Sequence, residues 1–449
     1  METITRKESW SYAFAGFGQN MIYAYQMSFL LLFYTSVFGI PSWIAGLMFM
    51  IAKTWDAFND ILMGTIVDNT KTRFGKLRPY LLIAPLPIMI LSVLIFTAFD
   101  ASLTIKIIYM YVTYILWGMV YTLGDVPYWG LSAAMSPDSL ARTKLISFTR
   151  IMTMIGTGLV IIGAPLIIEA FGKNDRAQGY LLTSVIISMV GGILFFLAFF
   201  NTKERSSIDA DKITLKDNIK LLKMNKPLII IMIASLLGFT RFSAQVAGPY
   251  FAEYNLLNLE LFSILGAVLI LSMIVAMFMT PFLTAKFGKK NVFIATSLFG
   301  AITYFIMYFI GYDVFILFVV MLFITSLSMG FFNVLQTSMI ADSIDYLEHK
   351  TGKRAEGICF AGQTFFFKVT GALTSFMLGV MLSLSGYVEN MLPTDANAST
   401  LNMIFLFVTI FPGIGCLLSI FPMLKYNFTE DAQRACVLEI NARKEGLNG

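Results

Sequence analysis

The chain has 449 residues, 57% of them hydrophobic and only 13% charged, with a mean hydropathy of +0.75 and a net charge of +5. A soluble domain carries about 25% charged residues, so this composition excludes a soluble globular protein. The three cysteines (Cys359, Cys416, Cys436) have no metal-ligand spacing. The sequence also contains no phosphate-binding glycine loop, nucleophile elbow or metal-ligand run, so we expect no enzymatic activity, no cofactor, no nucleic-acid partner and no obligate protein partner.

Apolar runs long enough for a bilayer, about 20 residues each, recur from end to end. They predict an all-α polytopic membrane protein with twelve spans at 11–38, 42–67, 79–99, 103–132, 145–170, 181–200, 227–250, 260–285, 291–312, 314–340, 357–384 and 401–423. The first run has no small-residue cleavage pattern and reads as a retained helix, not a signal peptide. With both termini cytoplasmic, 25 of the 32 basic residues fall inside and three (Lys106, Lys173, Arg176) outside. Lys53, Arg150, Arg241 and Lys368 are left within helices. This is the asymmetry that the positive-inside rule asks for. The expected organisation is a six-helix bundle over 1–200, a cytoplasmic loop over 201–226, a second six-helix bundle over 227–424 and a cytoplasmic tail over 425–449, integral to the plasma (cytoplasmic) membrane.

In the second span, Trp55-Asp56-Ala57-Phe58-Asn59-Asp60 places two carboxylates and an amide in an apolar helix. Ionisable groups are costly in lipid and need a partner or a job. Asp56, Asn59 and Asp60 are i, i+3 and i+4 and converge on one face, with Lys53 a turn earlier on the same side. Grouped oxygens of this kind suit a hard monovalent cation or a shared proton. A purely structural ion pair with Lys53 is the plainer reading.

Between spans two and three, Thr72-Arg73-Phe74-Gly75-Lys76 is echoed between spans eight and nine by Ala285-Lys286-Phe287-Gly288-Lys289-Lys290. A basic turn with glycine at the same place in each half predicts an internal duplication, as in carriers built from repeats, although short cytoplasmic turns favour Gly and Lys anyway. Counting back from Gly288, the positions matching Asp56, Asn59 and Asp60 are Leu269, Ser272 and Met273. Only the first half keeps the carboxylates.

In span four, Thr122 offers a hydroxyl to the same cation, while Asp125 and Trp129 are i, i+4 and face one way. A carboxylate for paired hydroxyls and an indole for the apolar face of a pyranose suit a sugar; Trp129 as an interfacial belt residue is the alternative. Pro127 is expected to bend this helix. Arg150 in span five is the natural countercharge for Asp125, either gripping hydroxyls or held in a static pair. Arg241 in span seven either lines a cavity or pins its helix. In span eleven Lys368, about a turn and a half after Gln363, is expected to face the cavity and reach acidic residues of the first half. Asp342 and Asp345, ahead of the basic turn containing Arg354, either latch the two bundles in one state or belong to a plain solvated loop. His349, the single histidine, is expected to be simply exposed.

The chain resembles the glycoside–pentoside–hexuronide:cation symporters of the major facilitator superfamily, over essentially its whole length. The stretches that carry the resemblance are Phe33-Tyr34-Thr35, Trp55 to Asp60, Arg73-Phe74-Gly75-Lys76-Leu77-Arg78-Pro79, Thr113-Tyr114-Ile115-Leu116-Trp117-Gly118-Met119, Asp125-Val126-Pro127-Tyr128-Trp129, Ala341-Asp342 with Asp345-Tyr346, and Arg354-Ala355-Glu356-Gly357. The resemblance implies an alternating-access carrier of two six-helix bundles that takes up a sugar with Na⁺, Li⁺ or H⁺. It places Asp56, Asn59, Asp60 and Thr122 on cation-site positions, holding Na⁺ if the carrier is sodium-coupled. Asp125, Trp129 and Arg150 fall on sugar-contacting positions and Lys368 on a charged position that supports coupling. Lys53, Arg73, Asp342, Asp345 and Arg354 are expected to serve coupling or gating.

Three departures from the melibiose carriers bear on the substrate. Asn20 stands where they have an aspartate, Ser36 where they have another acidic residue, and Asn333 where they have a sugar-site tryptophan. Melibiose is thereby a doubtful substrate, and another glycoside, a pentoside or an acidic sugar stays open. The alternatives are an exporter of a non-sugar solute and a non-transporting membrane sensor or scaffold.

Overall fold

The structure, a computed structural model, describes residues 4–70, 72–135, 139–205, 221–352 and 356–448. Its helices are α1 (Arg6–Ser36), α2 (Ser42–Asn69), α3 (Arg78–Ile83), α4 (Pro85–Leu94), α5 (Leu103–Ala134), α6 (Ser139–Gly172), α7 (Arg176–Asn201) and α8 (Lys226–Leu237). They continue as α9 (Ser243–Tyr250), α10 (Leu261–Phe287), α11 (Lys289–Ile310), α12 (Phe315–Thr351), α13 (Glu356–Leu384), α14 (Ala398–Val408), α15 (Ile410–Leu424) and α16 (Glu430–Asn448).

Among the described residues, eight helices are long and apolar enough to cross a membrane. A ninth is added if α8 and the segment Phe239–Asn255, bent by 56° after Gly238, count as one. This is fewer than the twelve runs counted in the sequence, for two physical reasons. The 31 residues of α1 and the 28 of α2 suffice for a crossing, but these helices carry the polar side chains discussed below. The third expected span is divided at Ala84, where Pro85 opens a new helix. By contrast, Pro127 lies within an unbroken α5. The tail, for which sequence patterning offered no element, forms α16.

The chain divides into two compact units. The first contains Met1–Asp209, Gly248–Ala267 and Ser375–Met403; the second contains Ala210–Ala247, Val268–Thr374 and Ile404–Gly449. In the first, α1 opens with a capping box in which Thr5 and Glu8 satisfy each other's backbone N–H groups. α1 then packs against α6 and α7. Tyr12 and Tyr128 stack 4.4 Å apart, and each hydroxyl donates to the other's backbone carbonyl, at 2.7 and 2.8 Å. Ser92 gathers three helices around α4. Its hydroxyl accepts from Gln26 of α1 and Trp117 of α5, both at 3.0 Å, and its carbonyl accepts from Ser184 of α7 at 2.7 Å. At the C-terminal end of α1, Thr35 bonds Tyr250 at 2.6 Å, and Arg176 pairs with the buried Glu253 at 2.6 Å.

In the second unit Arg241 is 1% exposed and donates to Ser297 at 3.0 Å and Ser419 at 2.6 Å, with its guanidinium 4.4 Å over the Phe332 ring. It pins the segment after the Gly238 bend to α11, α12 and α15. Of its two expected roles, the structure thus shows a structural clamp.

The two basic turns share more than glycine. Gly75 and Gly288 have φ of +104° and +77°, values that favour glycine. The Glu204 carboxylate, just after α7, accepts the N–H groups of Lys76, Leu77 and Arg78 at 2.8–2.9 Å. Glu430, opening α16, accepts the N–H of Lys289 at 2.5 Å. Each turn is therefore capped by an acid that follows a later helix of its own unit.

Candidate functional site

The site residues of the first unit lie on α1, α2, α5 and α6 in two adjoining clusters. In the first, Lys53 and Asp56 are buried and paired, Nζ to Oδ2, at 3.2 Å. The ammonium also lies 5.6 Å from the Tyr23 ring centroid and 5.9 Å from that of Tyr114. Asp56 reaches α5 at Gly118, where a Cβ would stand 2.7 Å from Oδ1, so a glycine there lets the carboxylate lie against the α5 backbone. One turn on, Thr122 donates to Asp60 at 3.2 Å. Asn59 is 2% exposed and its Nδ2 has no hydrogen-bond partner among the described residues. The two carboxylates, the Thr122 hydroxyl and the Asn59 amide oxygen are oxygen ligands of the kind a small hard cation takes, whereas the unpaired Nδ2 is an N–H donor and would not touch it.

In the second cluster Asp125 Oδ1 accepts from Gln19 at 2.7 Å and from the Trp129 indole at 3.1 Å. The exposed Arg150 guanidinium lies 4.3 Å over the Trp129 ring. Gln19 and Trp129 thus both orient the carboxylate, and an aromatic face and a cation adjoin it. This is a surface able to hold a polyhydroxylated ring or an anionic substituent.

The amide that meets Asp125 is Gln19, whereas the expected Asn20 is half-buried and donates within its own helix to Gly16 at 3.1 Å. Sequence reasoning missed Gln19, although a signal existed. Tyr12, Gln19 and Gln26 are seven residues apart, a polar stripe along one face of α1, and each bonds to α4 or α5. Tyr23 and Tyr114, the rings around Lys53, were also passed over.

The remaining candidates lie on other elements. Arg73 is exposed in the Gly75 turn, with its guanidinium 4.6 Å over the Phe74 ring. In the second unit Asn333 is half-buried on α12 and its carbonyl accepts from Thr337 at 3.0 Å. Lys368 is half-buried on α13. Asp342 pairs with Lys289 at 2.5 Å and Asp345 accepts from Gln433 of α16 at 2.8 Å. Both acids lie within α12, which corrects the reading of this segment as a loop. His349 is not simply exposed: it lies 2.6 Å from Glu439 of α16. Arg354 lies outside the described residues.

Known proteins agree with this architecture. The family model for MFS/sugar transport proteins matches residues 11–430, and the chain belongs to that family of transporters. It is 32% identical to the uncharacterized symporter YnaJ of Bacillus subtilis, covering 99% of this chain and 96% of that protein. It is 30% identical to the isoprimeverose transporter of Lactiplantibacillus pentosus, covering 94% and 88%. Among solved structures, the nucleoside transporter NupG superposes with a TM-score of 0.68 at 13% identity, covering 94% of this chain and all of that one, which shows a common fold. The protein is therefore an all-α, multi-pass integral membrane carrier of the major facilitator fold.

Proposed function

We propose that the chain is a secondary active symporter that moves a sugar (a glycoside, pentoside or hexuronide) together with a monovalent cation by alternating access. One observation carries this reading: Thr122 and Asp125 are three residues apart on α5, and they bond to Asp60 and to the Gln19–Trp129 pair respectively. One helical turn thus serves both clusters. In this reading Asp56, Asn59, Asp60 and Thr122 take Na⁺, Li⁺ or H⁺, and Asp125, Trp129 and Arg150 take the sugar. Lys368, Asn333 and Asn20 contribute to substrate recognition, and Lys53, Arg73, Asp342, Asp345 and Arg354 to coupling or gating. The chain crosses the plasma membrane twelve times in two six-helix bundles, a reading supported by the capped turns at Gly75 and Gly288, and the basic residues favour cytoplasmic termini.

The test is uptake into proteoliposomes of a labelled α-galactoside, β-glucuronide and xyloside, under an imposed Na⁺ gradient and separately a proton gradient. Accumulation of one sugar above equilibrium under one gradient is the expected result. No gradient-driven accumulation of any sugar by folded protein would overturn the reading.

A further inference from the structure

A cavity of about 400 Å³ opens between the N-terminal turns of α1 and α6, with no residue of either cluster in its lining. Its walls include Arg6, Ser9 and Trp10 from α1 and Lys144, Leu145 and Phe148 from α6. The Trp10 ring stands edge-on to Phe148 at 4.8 Å, yet half of the tryptophan surface is exposed. Among the described residues neither Arg6 nor Lys144 makes an ion pair. The nearby carboxylate at this end of α1, Glu8, is already held by Arg205 at 2.8 Å and by Thr5. The cavity therefore joins two cations, neither in an ion pair among the described residues, and a hydroxyl to an aromatic wall, and Lys7 and Arg142 add positive charge in the same two turns of sequence. Beyond Phe148, exposed Ile151, Ile155 and Leu159 continue along α6 at helical spacing.

We propose that this cavity binds the headgroup phosphate of an anionic phospholipid, with Arg6 and Lys144 holding the phosphate. Ser9 donates to it, Trp10 packs on the glycerol region, and an acyl chain follows Ile151, Ile155 and Leu159. The division of labour is that of a basic pocket between helices at the membrane surface. The indole, apolar on its ring and polar at its N–H, suits the interfacial level. The apolar continuation along α6 favours a lipid over a free phosphate, which has no chain to lay there.

Delipidated protein in detergent is titrated with phosphatidylglycerol and followed by native mass spectrometry, in parallel with phosphatidylcholine and with glycerol 3-phosphate. One phosphatidylglycerol is expected to bind more tightly than phosphatidylcholine, and glycerol 3-phosphate not to compete at the same concentrations. The double variant R6Q/K144Q should weaken the phosphatidylglycerol complex about thirtyfold, since each basic group contributes about a factor of five. The control K290Q/K425Q should leave it unchanged. Should the double variant fail to fold, K144Q alone is expected to give about a fivefold loss. Equal affinity for phosphatidylcholine, equal losses in the control, an unchanged variant, or full competition by glycerol 3-phosphate would each overturn the assignment.

Discussion

The pair Lys53–Asp56 separates a structural role from a coupling role, because its two equally buried halves differ in what else surrounds them. Removing one partner of a buried ion pair costs about 3–5 kcal/mol, since the other charge is left uncompensated. Lys53 would retain two ring faces, Tyr23 and Tyr114, within 6 Å of its ammonium, and such contacts contribute about 0.5–2 kcal/mol each. Asp56 lies against the α5 backbone at Gly118, with Lys53 the donor that the structure records for it. Asp56→Asn should therefore cost about 3 kcal/mol and Lys53→Gln about 5 kcal/mol. K53Q/D56N, which leaves no orphan charge, should recover most of the loss. Thermal unfolding of the purified proteins in one detergent reads this order directly.

Transport reads the second half of the argument. If Asp56 holds the cation, D56N and the double variant both lose cation-driven accumulation and only equilibrate the sugar, even though the double variant is stable. A double variant that regains both stability and accumulation would refute the cation-site role and leave Asp56 a structural residue. A D56N protein less stable than K53Q would refute the weighting of the ring contacts.

Two further outcomes follow from the geometry. Trp129→Phe removes the indole donor to Asp125 but keeps a ring beneath Arg150; losing a hydrogen bond to a charged group, about 1.5–3 kcal/mol, should raise the sugar KM about tenfold or more with little change in maximal rate, and an unaltered KM would count against Asp125 as an oriented ligand. Burial pushes the Glu8 carboxyl up, but Arg205 and the Thr5 hydroxyl and amide outweigh it and hold the group below its ordinary value. Its stabilisation is therefore fully present above the unfolded carboxylate pKa, about 4.3, and is lost as pH falls through the lower folded value. The melting temperatures of wild type and Glu8→Gln should differ at neutral pH and converge in acid, whereas a constant difference would refute the assignment.

Much of this molecule could be read from residue type alone, because lipid makes polar residues conspicuous. Asp56, Asp60, Asp125 and Trp129 stand out in apolar runs for that reason, and the structure brings Asp60 to Thr122 and Asp125 to Trp129 as spacing on α2 and α5 suggested. What stayed hidden depends on rotation and on partners distant in sequence. Neighbouring residues on a helix point about 100° apart, so Gln19 meets Asp125 while Asn20, singled out for substrate recognition, bonds within its own helix to Gly16. Glu204 and Glu430 read as ordinary loop acids until the backbone N–H groups they cap are seen across more than a hundred residues. Ala84 and Thr409, where apolar runs become separate helices, interrupt those runs with no charged residue to mark the place.

The arrangement on α5 also constrains how coupling works. Thr122 and Asp125 share one turn of a helix whose neighbours supply the remaining groups: Asp60 from α2 on one side, Gln19 from α1 on the other. On the proposed reading, a cation that neutralises Asp56 and Asp60 would change what Thr122 can bond to, and a small rotation of that turn would move Asp125 relative to Gln19 and Trp129. By linkage, whatever factor the cation adds to sugar affinity the sugar must return to cation affinity. Such a site has no need of contact between the two ligands. The matching positions of the other half, Leu269, Ser272 and Met273, offer a single hydroxyl, and Ser272 spends it on the carbonyl of Phe323 at 2.6 Å. Those positions supply no carboxylate for a second equivalent cation site, so on the proposed reading the one turn of α5 is where cation and sugar are coupled.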